Sequence, residues 1–327
     1  MCLPATSAIL QQSYRESTGA DSVSKSRIGK TGKKDCRVTA TRVFILTFVA
    51  MTAFAGNSLL CRLALKQTRI DAASFTLIRI VSGAIALQLI VWTRKRSRGK
   101  AGSWPSALAL FVYAAGFSFA YVSLPAGTGA LLLFGAVQTT MIIWALRTGE
   151  RLRVRQRLGL ALALAGLVAL VFPGLSAPPL GGSILMLSAG VAWGIYSLRG
   201  KAAGDAASAT AGNFLRAVPM AVVLSAALLS WSRLDPTGIG YAILSGAVAS
   251  GVGYAIWYTV LPALRAATAA TVQLSVPVLA AAGGILFLGE LITLRSVLAS
   301  VAVLGGISLV TIERRPASAP VKQRELK

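Results

Sequence analysis

Ten stretches of this chain are almost continuously apolar: Val43–Leu60, Ala72–Trp92, Trp104–Leu124, Ala126–Leu146, Leu158–Leu175, Leu180–Leu198, Ala209–Trp231, Thr237–Leu261, Ala266–Leu288 and Thr293–Ile312. Each holds 18 to 25 residues. About 20 residues at 1.5 Å each cross ~30 Å of hydrocarbon, so the pattern predicts ten membrane-spanning helices. Alternation of apolar and polar residues, the mark of barrel strands, is missing. Polar breaks between the runs are short and carry turn signals: Pro173-Gly174, Pro178-Pro179, Asp235-Pro236 and Pro262. Pro125 alone separates the third and fourth runs, where a missing N–H permits a tight reversal.

Residues 1–42 differ from the rest. Ser, Thr, Lys and Arg dominate from Ser13 to Arg42, and no apolar run of signal-peptide length precedes Val43. This segment reads as a basic, solvated tail lying near anionic lipid, and residues 313–327 as a second polar tail. Gly29-Lys30-Thr31-Gly32-Lys33 lacks the spacing and the preceding strand of a phosphate loop.

Composition sharpens the assignment. Of 327 residues, 55% are apolar and 13% charged, against about 25% charge in soluble domains. Mean hydropathy is +0.70. The net charge of +23 would suit a nucleic-acid binder, but such a protein is not this apolar. The charge instead has a direction. With both termini cytoplasmic, 26 of the 33 Lys and Arg fall on the inner side and five on the outer, leaving Arg79 and Arg216 inside spans. Histidine is absent, and Cys2, Cys36 and Cys61 form neither a disulfide framework nor a metal cluster. No metal, cofactor or catalytic residue is expected, and no nucleic acid.

The chain also matches itself at an offset of 140 residues. Ala126-Gly127-Thr128-Gly129-Ala130 falls on Ala266-Ala267-Thr268-Ala269-Ala270, Gly149-Glu150 on Gly289-Glu290, Arg155 on Arg295 and Gly166 on Gly306. Leu77-Ile78-Arg79 corresponds to Phe214-Leu215-Arg216, and Asp71-Ala72-Ala73-Ser74 to Asp205-Ala206-Ala207-Ser208. Residues 43–175 and 180–312 are therefore read as two repeats of five spans, and an odd number inserts the second upside down. Inverted repeats give many transporters two oppositely facing states around a midplane site.

These features resemble the EamA-type transporters of the drug/metabolite transporter superfamily. The resemblance rests on the five-plus-five arrangement, an arginine in the second span of each half and Gly-Glu closing the fourth. It implies an all-α membrane protein of two inverted five-helix repeats, a central cavity, and movement of small metabolites, often outward across the plasma membrane. Amino acids or related compounds are the leading cargo by that analogy, a multidrug carrier the alternative. Pro277 matches a proline usual in the second repeat of the family, whereas Val137 stands in the first.

Polar side chains inside spans are costly unless satisfied or used. Arg79 and Arg216 either attract an anionic group on a substrate, or snorkel and pair with the helix-end acids Glu290 and Glu150. Asn57, Gln138 and Gln273 could hydrogen-bond a zwitterion or join helices. Trp193, Tyr254 and Trp257 lie deep enough to wall a pocket; Tyr196 and Tyr258 share their spans, and Tyr113 and Tyr121 lie in the third. Gly190-x-x-x-Gly194 reads as a packing motif. Gly251, Gly253 and Pro277 are candidate hinges. No Asp or Glu falls within a span, which predicts facilitated diffusion or exchange, or a proton carried with the substrate. A membrane-embedded enzyme lacks any nucleophile–base pair here, and a scaffold has no use for two matched repeats.

Overall fold

The structure is a computed structural model, described for residues 40–93, 102–149, 152–174, 177–200, 205–264 and 272–311. Ten long helices follow one another among the described residues: α1 (Ala40–Gln67), α2 (Ala72–Thr93), α3 (Trp104–Tyr121), α4 (Ala126–Arg147), α5 (Val154–Val171), α6 (Leu180–Gly200), α7 (Ala206–Ala227), α8 (Pro236–Val260), α9 (Ser275–Leu288) and α10 (Leu294–Thr311). Among the described residues nine are long and apolar enough to cross a membrane, and α9, with 14 residues, is shorter. Residues 266–271, which the apolar pattern places in the ninth span, lie outside the described residues.

Helix ends differ from the apolar runs where polar groups find partners. α1 continues seven residues beyond Leu60, because Arg62 is satisfied inside the bundle rather than at its surface. α7 begins at Ala206 rather than Ala209, capped by the Asp205 carboxylate on the Ala207 N–H. It ends at Ala227, and Leu229–Trp231 forms a separate 3-10 turn. α3 and α8 start on Ser103 and Asp235 caps, each followed by proline within the first turn.

The inversion is visible in how repeat mates touch. Gly166 of α5 packs on Ala302 and Val303 of α10, while Gly306 of α10 packs on Gly159 and Ala163 of α5. As the contact moves up one helix it moves down the other, so the mates are antiparallel. The same holds between α4 and α9, where Gly127 meets Ala281 and Gly284 meets Ala126. Between α2 and α7, Gly83 meets Phe214 and Gln88 reaches Ala211.

The remaining packing obeys the exchange too. α3 lies on α6 as α8 lies on α1, and α4 on α6 as α9 on α1. Glycines at these crossings let backbones approach closely where burial from lipid supplies no hydrophobic drive. Gly190 and Gly194 of α6 rest against Leu133, Ala136 and Thr140 of α4.

Candidate functional site

The site is set up by the start of α2. Asp71 accepts from the Ala73 and Ser74 N–H groups, both at 2.9 Å, and caps the helix. Its other oxygen accepts from the Arg233 N–H at 2.9 Å, and its own N–H donates to the Arg233 carbonyl, tying α2 to the approach of α8. Burial acts to raise the Asp71 carboxyl. The N–H groups of Ser74, Arg233 and Ala73 and the Ser74 hydroxyl outweigh it and hold the carboxyl below its usual range.

Arg79 lies eight residues, just over two turns, beyond that cap and is 2% exposed. Its Nη2 donates to the Tyr113 hydroxyl at 3.0 Å. Its Cζ stands 4.7 Å from the Phe117 ring centroid and 5.3 Å from that of Tyr113, within cation–π range. The Nη1 nitrogen is buried and makes no hydrogen bond. Asn57 of α1 also donates to the Tyr113 hydroxyl, at 3.3 Å, and its carbonyl accepts from Ser245 of α8 at 2.6 Å. Since the Tyr113 oxygen accepts twice, its own proton remains to be given, and it sits beside the unpaired guanidinium N–H groups. This is a set of donors complementary to an anion.

Aromatic rings complete the cluster. Trp193 of α6 stacks on Tyr254 of α8 (5.3 Å, 23°) and on Tyr196 (5.2 Å, 25°), and meets Tyr113 at 4.7 Å. Phe54 of α1 and Phe214 of α7 flank Tyr254, and Trp257 stands edge-on to Phe54. Both repeats thus contribute to one buried group of a cation, an amide and π-faces.

α8 reaches this group through a defect in its own ladder. Leu244–Val252 is π-helical, carrying Ser245, Gly246 and Gly251, and Gly253 resumes the α-helix. π segments are rare and concentrate at functional sites. Gly246 packs directly on the Arg79 carbonyl and the Ser82 hydroxyl, leaving no room for a side chain.

Other candidates lie elsewhere. Arg216 is half-buried on α7 and turns back along its helix, its Nη1 donating to Gly212 at 3.0 Å beside Gly102 at the head of α3. Counted from the caps Asp71 and Asp205, the mate of Arg79 is Asn213, not Arg216, which stands about one turn further on. Asn213 accepts from the Ser103 N–H at 2.8 Å and reaches the Tyr196 hydroxyl at 3.5 Å. Gln138 is buried on α4 and Gln273 half-buried just ahead of α9, on helices other than those forming the Arg79 cluster. Pro277 occupies the first turn of α9, where no N–H is needed. The helical residues Val272 and Gln273 are separated from that helix by a turn at Leu274, and the Gln273 carbonyl, four residues back, is one that Pro277 cannot bond. Pro219 is the proline inside a helix, in α7. Glu150 lies outside the described residues.

Glu290 pairs with Arg62 rather than with Arg79. Gly289 adopts a left-handed conformation (φ 61°), and the Glu290 N–H returns to the Gly284 carbonyl at 3.1 Å, closing α9. That turn throws the carboxylate to the head of α4. There Oε2 accepts from the Ala126 N–H at 2.8 Å and Oε1 from Arg62 Nε at 3.1 Å. Arg62 Nη1 donates to the carbonyls of Tyr121 and Val122 at the end of α3. Arg62 is one of the five charges that the sequence places on the outer side, and it lies inside the bundle instead. The signal it carried was the apolar Leu63-Ala64-Leu65 that follows, which continues the helix past it.

Comparisons with known proteins agree with this architecture. The model of the EamA-like transporter family matches residues 41–172 and again 180–312. An uncharacterised protein of Pseudomonas aeruginosa is 57% identical over 274 residues, covering 84% of this chain and 96% of that protein. The threonine/homoserine exporter RhtA of Salmonella typhimurium is 35% identical over 155 residues, 45% of this chain and 50% of the exporter. A crystal structure of a protein 16% identical superposes with a TM-score of 0.57, covering 84% of this chain and 98% of that one, and so shares the fold. Two matched five-helix repeats, together spanning nearly all of the described residues, make this chain a multi-pass membrane protein of the EamA-like transporter family.

Proposed function

We propose that this transporter exports small carboxylate-bearing metabolites, amino acids or close relatives, across the inner membrane by alternating access. Both termini face the cytoplasm in this reading, which rests on the asymmetry of Lys and Arg. One observation carries the substrate assignment: the buried guanidinium of Arg79 keeps a nitrogen without a protein partner. An arginine at this depth costs ~2.5–3.5 kcal/mol on insertion scales. None of the ten helices contains an Asp or Glu to offset it. A substrate carboxylate supplies the missing counter-charge, with Tyr113 and Asn57 orienting it and Trp193 and Tyr254 facing the remainder. The name of the threonine/homoserine exporter supports both the cargo class and the direction.

With no titratable acid in a helix, coupling is by facilitated diffusion or exchange. The test is counterflow in proteoliposomes with a panel of labelled amino acids, threonine and homoserine included. Flux of at least one, lost in Arg79→Ala, is expected. Absence of any carboxylate flux, or flux indifferent to Arg79→Ala, overturns the proposal.

A further inference from the structure

The geometry points to Arg62 and Glu290 as the closure of one end of the transport path, a pair of positioning residues that must part before that end opens. The charge asymmetry assigns this end to the outside, so the inference rests on the transport reading for its role, though not for its test.

Three observations carry it. First, the pair joins the halves. Arg62 belongs to the first repeat and Glu290 to the second, and their 3.1 Å contact is an ion pair with both side chains 9% exposed. Second, its bonds are shared among four helix ends. Arg62 holds the last carbonyls of α3, and Glu290 holds the first N–H of α4, whose cap position is Pro125 with no side-chain acceptor of its own. Breaking the pair therefore parts α1, with Arg62 on the end of α3, from α9, with Glu290 on the start of α4. Third, it stands directly over the Arg79 cluster. Arg79 lies on Phe117, Phe117 meets the Tyr121 ring edge-on at 4.7 Å, and the Tyr121 carbonyl accepts from Arg62. The Tyr121 hydroxyl donates to the carbonyl of Ala126, the residue whose N–H Glu290 holds.

A closure of this kind is a two-state element, and removing one charge shifts its equilibrium toward the open form. The chain carries its own reporter. Cys61, next to Arg62, is a free thiol with no exposed surface, placed beside Arg79 and Ser118 on the inward side of the pair.

The experiment uses full-length protein with Cys2 and Cys36 changed to serine, leaving Cys61 as the sole thiol. A membrane-impermeant maleimide is added to intact cells and, separately, to inverted membrane vesicles. Glu290→Gln is expected to accelerate labelling from the outside by about tenfold or more. Arg62→Lys, which keeps the charge but loses the fork that reaches three acceptors, should give a smaller acceleration. A variant is read only if it elutes as monodisperse protein in detergent, and Arg62→Lys serves if Glu290→Gln does not. Labelling of both variants at the rate of the parent overturns the inference, as does acceleration confined to inverted vesicles. None of these outcomes depends on a transported substrate, so they are separable from the failure of counterflow.

Discussion

Arg62 and Glu290 stand 3.1 Å apart, and each also completes a helix end that its own chain neighbourhood leaves unfinished. A buried pair is strongly destabilising when halved, by ~3–5 kcal/mol, because the survivor stays charged and unpaired. Glu290→Ala should accordingly lower the thermal unfolding midpoint in detergent far more than substitution of exposed Arg233. Exchanging the two residues, Arg62→Glu with Glu290→Arg, should not restore stability. The swapped carboxylate would face the carbonyls of Tyr121 and Val122, and the swapped guanidinium the N–H of Ala126.

Arg79 should separate charge from shape. Arg79→Lys keeps a cation but loses the planar fork and its stacking on Phe117 and Tyr113. Counterflow is expected to fall by roughly tenfold in Arg79→Lys and by roughly a hundredfold in Arg79→Ala, the range for losing charged hydrogen bonds. Equal activity in all three proteins would remove Arg79 from the substrate path.

The cap on α2 has a pH signature. The Asp71 carboxyl is held below its ordinary value in the folded chain, so its contribution is fully present above the usual carboxylate range. It is lost as pH falls through the lowered folded value. Thermal unfolding of the parent should therefore weaken on acidification below about pH 4. Asp71→Asn, which retains an acceptor, should show a flatter dependence, and Asp71→Ala should cost about 1 kcal/mol at neutral pH.

The π segment of α8 yields a contrast between neighbours. A methyl group at Gly251 meets the Ala86 methyl at 3.0 Å, a contact that small shifts relieve, whereas one at Gly246 falls on the backbone of Arg79. Gly246→Ala is expected to unfold or mispack α8 against α2. Gly251→Ala should insert with a near-parental unfolding midpoint yet slow counterflow if rewinding of Leu244–Val252 accompanies the change of access. Parental flux in Gly251→Ala would leave the segment a packing device.

Much of this was legible in the sequence, and the rest was hidden for identifiable reasons. Apolar runs of spanning length and the Gly-Glu repeat gave the helices and the two repeats, because lipid demands both length and internal hydrogen bonding. Arg79, Asn57, Trp193 and Tyr254 could be singled out since polar or amphipathic groups within a span stand out against Leu and Ala. Tyr113, which ties Arg79 to Asn57, stood out only as one of several tyrosines within spans, and nothing in the sequence announced two donors to its oxygen. Arg216 matched Arg79 as a letter in a similar block, yet the caps show the register slipped by about one turn. Glu290 was visible as a motif, but its partner depended on a left-handed glycine aiming the carboxylate across to another helix.

The crossing of α5 on α10 is reciprocal, Gly166 against Ala302 and Val303 on one side and Gly306 against Gly159 and Ala163 on the other. The surface that α5 requires of α10 is consequently one that α5 itself displays. At this crossing, therefore, an oppositely inserted copy of either half would meet the same small-residue contact that its natural neighbour supplies.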